Sequence, residues 1–304
     1  MKILFVTTRN PEKQGDYLEL SLLHGLKTVL GDDCVDYPKK KIIYGDYSES
    51  PKNTLHGRGF SLLSQPLDDY AVRDSIEVDD FDAVLHGSGH MYGEITNINH
   101  RNIWHTDGHD RFGYAARMIT HNKETIIGTQ FTDKCFKREL LEYFPTVFPT
   151  SFGIPEHCIR EINYTQKTQL FQITAPSDAC FYENSAYRFD DENLYYEDMQ
   201  KSWFGLSCRK GGYDSLRNYE IIAAGALLLY RDFDQKSLIC EPTVPALSYS
   251  TPEELFKLMG TLVVNNTPTP RYIELLEKQR KWLVAHGTTR ARAEYIIDTI
   301  TRYS

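Results

Sequence analysis

"KILFVTTRNPEKQGDYLELSLLHGLKTVLGDDCVDYP", residues 2–38, decides the fold. Lys2 to Thr7 is a short apolar run of the kind that forms a buried first strand. A polar loop, RNPEKQG, follows. Leu18, Leu22, Leu26 and then Val29 or Leu30 recur at helical spacing. Asp16 and Glu19 stand as an acidic capping box at the start of that helix, and Gly31 stops it. CVDYP is a second short strand. The order strand, loop, helix, strand opens a parallel, doubly wound α/β sheet.

Further along, FDAVLHGSGH (81–90) is a strand ending in a Gly-rich loop. NIWHTDGHD (102–110) is another, with its polar residues at the carboxyl end, and ETIIGTQ (124–130) a third. Ligands in such sheets sit beyond the carboxyl ends of the strands. His86, Ser88, His90, Asp107, His109 and Asp110 are therefore expected along one edge. Residues 144–157 hold Pro145, Pro149, Pro155 and Gly153, a candidate domain boundary. Beyond it, TQLFQITA reads as a strand and NLYYEDMQ as a helix opened by Asn193. Thr251-Pro252-Glu253-Glu254 caps a helix through ELFKLMGTLV, Thr269-Pro270 opens another, and a last helix runs through ARAEYIIDTITR.

The chain of 304 residues, with net charge −8, has the apolar and charged fractions of an ordinary globular protein. An acidic chain is a poor general binder of nucleic acid or anionic membrane. No apolar run reaches the ~18 residues of a membrane span, and the N-terminus does not read as a signal peptide. Six scattered cysteines without a CxxC pair exclude a zinc ribbon and suit a reducing compartment, so a cytoplasmic location is expected.

"WFGLSCRKGGYDSLRNYEIIAAGALLLY", residues 203–230, carries the functional signal. A strand hands over to a helix through Arg209, Lys210, Gly211 and Gly212. Amides at a helix start are unpaired and the dipole there is positive; glycines let an anion approach the backbone. Asp214 or Ser215 can cap the helix. Glu220, about two turns on from Gly212, can accept two ribose hydroxyls from a nucleotide whose diphosphate sits on the turn. By itself the turn also reads as a solvated surface loop.

With SLRNYEIIAAGALLLY, the TPEELFKLM helix and RYIELLEKQRKWLVAHGTTRARAEYII, the stretch resembles the C-terminal domain of GT-B glycosyltransferases (the group 1 type), and within them the spore-coat CgeB-like branch. The likeness rests on Arg217, Glu220, Ala224-Gly225, the strand after them and His286. GDYLELSLLHGLKTVLGDDCVDYP, DGHD and CFKRELLEYFPTVFPTSFGIP extend it to the N-terminal half.

The resemblance implies two Rossmann-like domains with parallel sheets facing a central cleft: 1–148 on the acceptor side, and 149–304 binding the nucleotide sugar. The C-terminal helix would cross back to the first domain. It implies Glu220 as the ribose-binding carboxylate, and Arg209 and Lys210, with Gly211, Gly212 and Arg217, as the diphosphate site. The co-substrate would be a nucleoside-diphosphate sugar, with no other cofactor and no bound metal. The acceptor is a hydroxyl on a glycan, small molecule or protein; the charge disfavours nucleic acid. Gly212 stands where many retaining members carry the first of two glutamates.

An acceptor hydroxyl needs a base, and Asp107, His109 and Asp110 are the candidates; Asp16 is explained by capping. The cluster from His86 to His109, with the HxDxH spacing of His105, Asp107 and His109, also fits a metal-dependent hydrolase. The altered glutamate pair also fits a nucleotide-sugar-binding protein without catalysis. Asp232-Phe233-Asp234 resembles a DxD metal motif but reads as a solvated loop. Lys137-Arg138-Glu139 reads as a phosphate contact or as a charge cluster at a helix start. The 20 Tyr and 15 Phe suit sugar stacking, although core packing explains most of them.

Overall fold

The structure is a computed structural model that describes residues 1–8, 16–68, 75–87, 98, 100–108, 134–140, 145–181, 189–235 and 243–304. Ser88, His90, His109, Asp110 and the strand expected at 124–130 lie outside the described residues. The chain divides into two compact units. The first comprises Met1–Pro155 and Thr289–Ser304, and the second lies within Glu156–Thr288.

The first unit is built on six strands: β1 (Ile3–Val6), β2 (Cys34–Tyr37), β3 (Ala83–His86), β4 (Ile103–Asp107), β5 (Lys134–Lys137) and β6 (Val147–Pro149). Their order is β2-β1-β3-β4-β5-β6, and every pairing is parallel. β1 and β3 are buried at every residue, as a parallel sheet covered on both faces requires. The strand order reverses between β1 and β3, which makes their carboxyl ends the switch-point crevice of this sheet. The sequence reading missed β5 and β6. It set Lys137-Arg138-Glu139 at a helix start, whereas Lys137 closes β5. Val147–Pro149 is a strand paired to β5 within the segment read as a boundary.

Helix α1 (Tyr17–Leu30) starts as its sequence predicts. Asp16 Oδ1 accepts the amides of Leu18 at 2.9 Å and Glu19 at 3.2 Å. Glu19 does not complete a capping box. Its side chain turns inward, where Oε1 accepts the Thr8 amide at 2.9 Å and Oε2 the Lys40 ammonium at 3.0 Å. The final helix of the chain (Thr289–Tyr303) belongs to this unit and packs on α1. A Cβ at Gly25 would lie 2.0 Å from the Thr289 carbonyl oxygen, so the close approach of the two helices needs a glycine there. Farther along the last helix, Tyr295 meets Phe136 edge-on and Tyr303 contacts Phe148.

The second unit has four parallel strands: β7 (Gln169–Phe171), β8 (Ser202–Cys208), β9 (Leu227–Arg231) and β10 (Leu247–Tyr249). They run in the order β10-β9-β8-β7. A short helix, α2 (Ser177–Cys180), is followed by α3 (Glu192–Gln200). Asp191 caps α3, taking the role expected of Asn193, by accepting the amides of Asn193 and Leu194. α4 (Leu216–Ala223) joins β8 to β9. α5 (Pro252–Leu262) and α6 (Pro270–Trp282) start on Thr251 and Thr269, whose hydroxyls accept the Glu254 and Tyr272 amides. With this numbering the final helix is α7. The α5 helix stops before Val263, because Val263–Val264 and Thr267–Pro268 pair as a small hairpin, β11 and β12. Asn265 and Asn266 occupy left-handed backbone at its turn.

The core of this unit gathers Trp203, Phe204, Leu206, Leu227, Leu229, Tyr249, Leu255, Met259, Tyr272 and Leu276. Among the described residues no helix is long and apolar enough to cross a membrane.

Candidate functional site

In the second unit the site is organised by β8, which is buried along its whole length. A Cβ on Gly205 would lie 2.1 Å from the Ile221 side chain, so this glycine lets α4 pack tightly on β8. Past Cys208 the chain emerges: Arg209, Lys210 and Gly211 are exposed, and Gly212, Tyr213 and Asp214 return to the interior. The turn is pinned from beneath. The Tyr213 ring stacks on Tyr230, whose hydroxyl donates to the Tyr213 carbonyl at 3.1 Å. The Arg209 guanidinium lies 5.3 Å from the Tyr213 ring centre, a cation–π distance.

The start of α4 has no side-chain cap, although two capping residue types stand before it. The Ser215 hydroxyl donates to Asn218 Oδ1 at 3.2 Å, as Ser207 does at 2.7 Å. Asp214 Oδ1 accepts the Tyr219 hydroxyl at 2.7 Å. Both candidate caps are thus engaged elsewhere. Asn218 Nδ2 ties the arrangement to the Tyr213 carbonyl at 3.0 Å. Arg217 and Glu220, one turn apart, share a face of the helix. Arg217 Nη1 donates to the Thr174 carbonyl at 2.9 Å. Glu220, only 6% exposed, accepts the Tyr195 hydroxyl on Oε2 at 2.6 Å. Tyr195 has no signal in the sequence, because its link to Glu220 is made through the fold.

In the first unit, register places His86 beside His105 and Asp107 beside Lys137. The two imidazoles stack with centroids 4.9 Å apart and planes 9° from parallel. Asp107 is 1% exposed and forms an ion pair with the equally buried Lys137 at 3.3 Å. Of the three candidate bases it is the one described, and it is closed to solvent and charge-paired as placed. Arg138 directs Nε and Nη2 at the Gly108 carbonyl, at 3.1 and 2.8 Å. Among the described residues no group of three His, Cys, Asp or Glu side chains is placed to hold a metal ion. Asp234 of the DxD-like triplet, within a short 3-10 turn (Phe233–Gln235), accepts the Ser248 hydroxyl at 2.8 Å.

Burial lowers both histidines. His86 falls to about 3, with the neighbouring His105 charge adding to burial, and His105 falls to about 4. A base held below its unfolded value of ~6.5 contributes stability in full above that pH. The contribution is lost as pH falls through the window from ~6.5 towards 4, because the unfolded chain binds the proton first. Each such proton is worth about 1.4 kcal/mol per pH unit. Between pH 6.5 and 5, wild-type protein is therefore expected to lose about 1.5 kcal/mol more stability than His105→Phe in urea titrations. Equal losses in the two proteins would show that the ring titrates normally.

No family model matches this chain, and no curated protein sequence matches it. The fold defines it as an α/β protein with a six-stranded and a four-stranded parallel sheet and accompanying helices.

Proposed function

We propose that the protein is a metal-independent glycosyltransferase of GT-B architecture, moving a sugar from a nucleoside-diphosphate sugar to an acceptor hydroxyl. The observation that carries the reading is the start of α4. A helix N-terminus stands uncapped at the carboxyl edge of a parallel sheet, with exposed Arg209 and Lys210 in the turn before it. Amides, dipole and two cations together suit a diphosphate. Glu220 lies four residues into the helix, roughly 6 Å along its axis, and its orientation is set by Tyr195. A carboxylate held there suits the ribose hydroxyls. Arg217 is tied to the Thr174 carbonyl and acts as a rigid flank of the same helix face.

The chemistry follows from charge. As the glycosidic bond breaks, the bridging electrons pass to the diphosphate, and fixed positive charge on the turn stabilises that leaving group most in the transition state. The acceptor proton passes to a base; of the candidates Asp107, His109 and Asp110, the last two are the residues to test first, because Asp107 is sealed against Lys137.

The ribose assignment is tested by Glu220→Ala. Loss of a buried charge-assisted hydrogen bond costs about 1.5–3 kcal/mol. Free nucleoside diphosphate and nucleotide sugar are both expected to bind more weakly by that amount in calorimetry. Unchanged diphosphate affinity would remove Glu220 from the site.

A further inference from the structure

Arg292, in the first turn of α7, is 2% exposed. Its Nε donates to the Phe152 carbonyl at 3.2 Å, and its Nη2 has no hydrogen-bond partner among the described residues. No described carboxylate pairs with it. Arginine stays charged at any working pH, and a buried charge without a counter-charge is strongly disfavoured.

Two hydroxyls that can donate stand next to the Phe152 carbonyl in the chain. Thr150 and Ser151, directly before Phe152, are buried, and neither hydroxyl has a partner among the described residues. The Arg138 guanidinium lies 4.7 Å from the Phe152 ring and is held by the Gly108 carbonyl. Its nearby carboxylate is that of Glu139, at 3.8 Å, so this second cation is already balanced. The Thr150 amide is fixed by the Lys137 carbonyl and the Thr289 amide by that of Ile154. The positive end of the α7 dipole falls on the same few residues. Among the described residues the charge left over is that of Arg292, beyond the carboxyl ends of β5 and β6 where ligands of such sheets bind.

From this juxtaposition we infer that the first unit holds a small oxyanion, a phosphoryl or carboxylate group, on Arg292 and the Thr150 and Ser151 hydroxyls. Arg292 supplies the charge and the hydroxyls supply directed donors. The site is built from none of the residues of the 209–212 turn and does not depend on the function proposed for that turn.

Calorimetric titration of the full chain with inorganic phosphate, and separately with acetate, tests it. Saturable binding of one of the two is expected; the preferred anion distinguishes a phosphoryl from a carboxylate ligand. Arg292→Met is expected to weaken that binding tenfold or more, and Thr150→Val by about threefold, since one directed hydrogen bond is removed. The doubly substituted Arg209→Ala, Lys210→Ala protein should keep wild-type affinity at this site. Should Arg292→Met fail to fold, Thr150→Val and Ser151→Ala decide. Absence of binding to wild type, unchanged affinity in these variants, or loss only in the Arg209, Lys210 variant would overturn the assignment.

Discussion

Replacing Arg209 or Lys210 by Ala is expected to cut sugar-transfer turnover by about 30- to 1,000-fold while weakening donor binding far less. The range corresponds to about 2–4 kcal/mol in the barrier, the effect of removing one preorganised donor from a developing anion. Charge on the diphosphate grows as the glycosidic bond breaks, so a fixed cation gains more in the transition state than in the ground state. Arg209 is preorganised by the Tyr213 ring, which itself rests on Tyr230. Lys210 has no such support, so the Arg209 lesion should be the larger. Both side chains are exposed, so stability should change by less than about 0.5 kcal/mol. Turnover and donor affinity measured for each single variant separate the two contributions. Near-wild-type turnover in both would reduce the Gly-Gly turn to a surface loop.

The largest stability effect is expected at Lys40. Lys40 and Glu19 are sealed from solvent, with their charged atoms 3.0 Å apart. The pair ties α1 to the segment after β2. Lys40 Nζ holds Glu19, the Lys40 amide donates to Asp36 at 2.7 Å, and Glu19 accepts the Thr8 amide at the end of β1. Burial raises the Glu19 carboxyl, and Lys40 opposes that rise. Lys40→Met removes the opposing charge and is expected to cost about 3–5 kcal/mol, the effect of stranding a buried ion.

The sign of the pH dependence follows. An acid whose folded value lies above its unfolded value binds its proton first in the folded state, so folding is favoured as pH falls through that window. The Lys40→Met deficit should therefore shrink from pH 8 to pH 5, and adding Glu19→Gln should recover much of it. A deficit below about 1 kcal/mol, constant with pH, would show that the pair contributes little.

The sequence was most readable where structure is local. Lys2–Thr7, CVDYP and the helix between them follow from apolar spacing, as do the helix starts at Asp16, Thr251 and Thr269. It was unreadable where a partner lies far along the chain. Glu19 stands at a capping-box position, and only Lys40, distant in sequence, turns it into half of an ion pair. Asp107 reads as an open base until β5 brings Lys137 beside it. β5 and β6 are short; Lys137 makes the end of β5 read as a charge cluster at a helix start, and Pro149 makes β6 read as part of a boundary segment. The Asn265-Asn266 turn was a usable hairpin signal that the helical run before it concealed. At the candidate donor site the turn, the glycines and Glu220 were legible; Tyr195 and the diverted caps Asp214 and Ser215 were not, since they depend on packing.

The most direct measurement is calorimetric titration of wild-type protein with a panel of nucleoside diphosphates in excess chelator. The account predicts saturable, one-to-one binding of at least one diphosphate without added metal, weakened in the Arg209→Ala, Lys210→Ala protein by less than its turnover falls. Absence of binding across the panel, or binding that appears only when a divalent metal is restored, would contradict it.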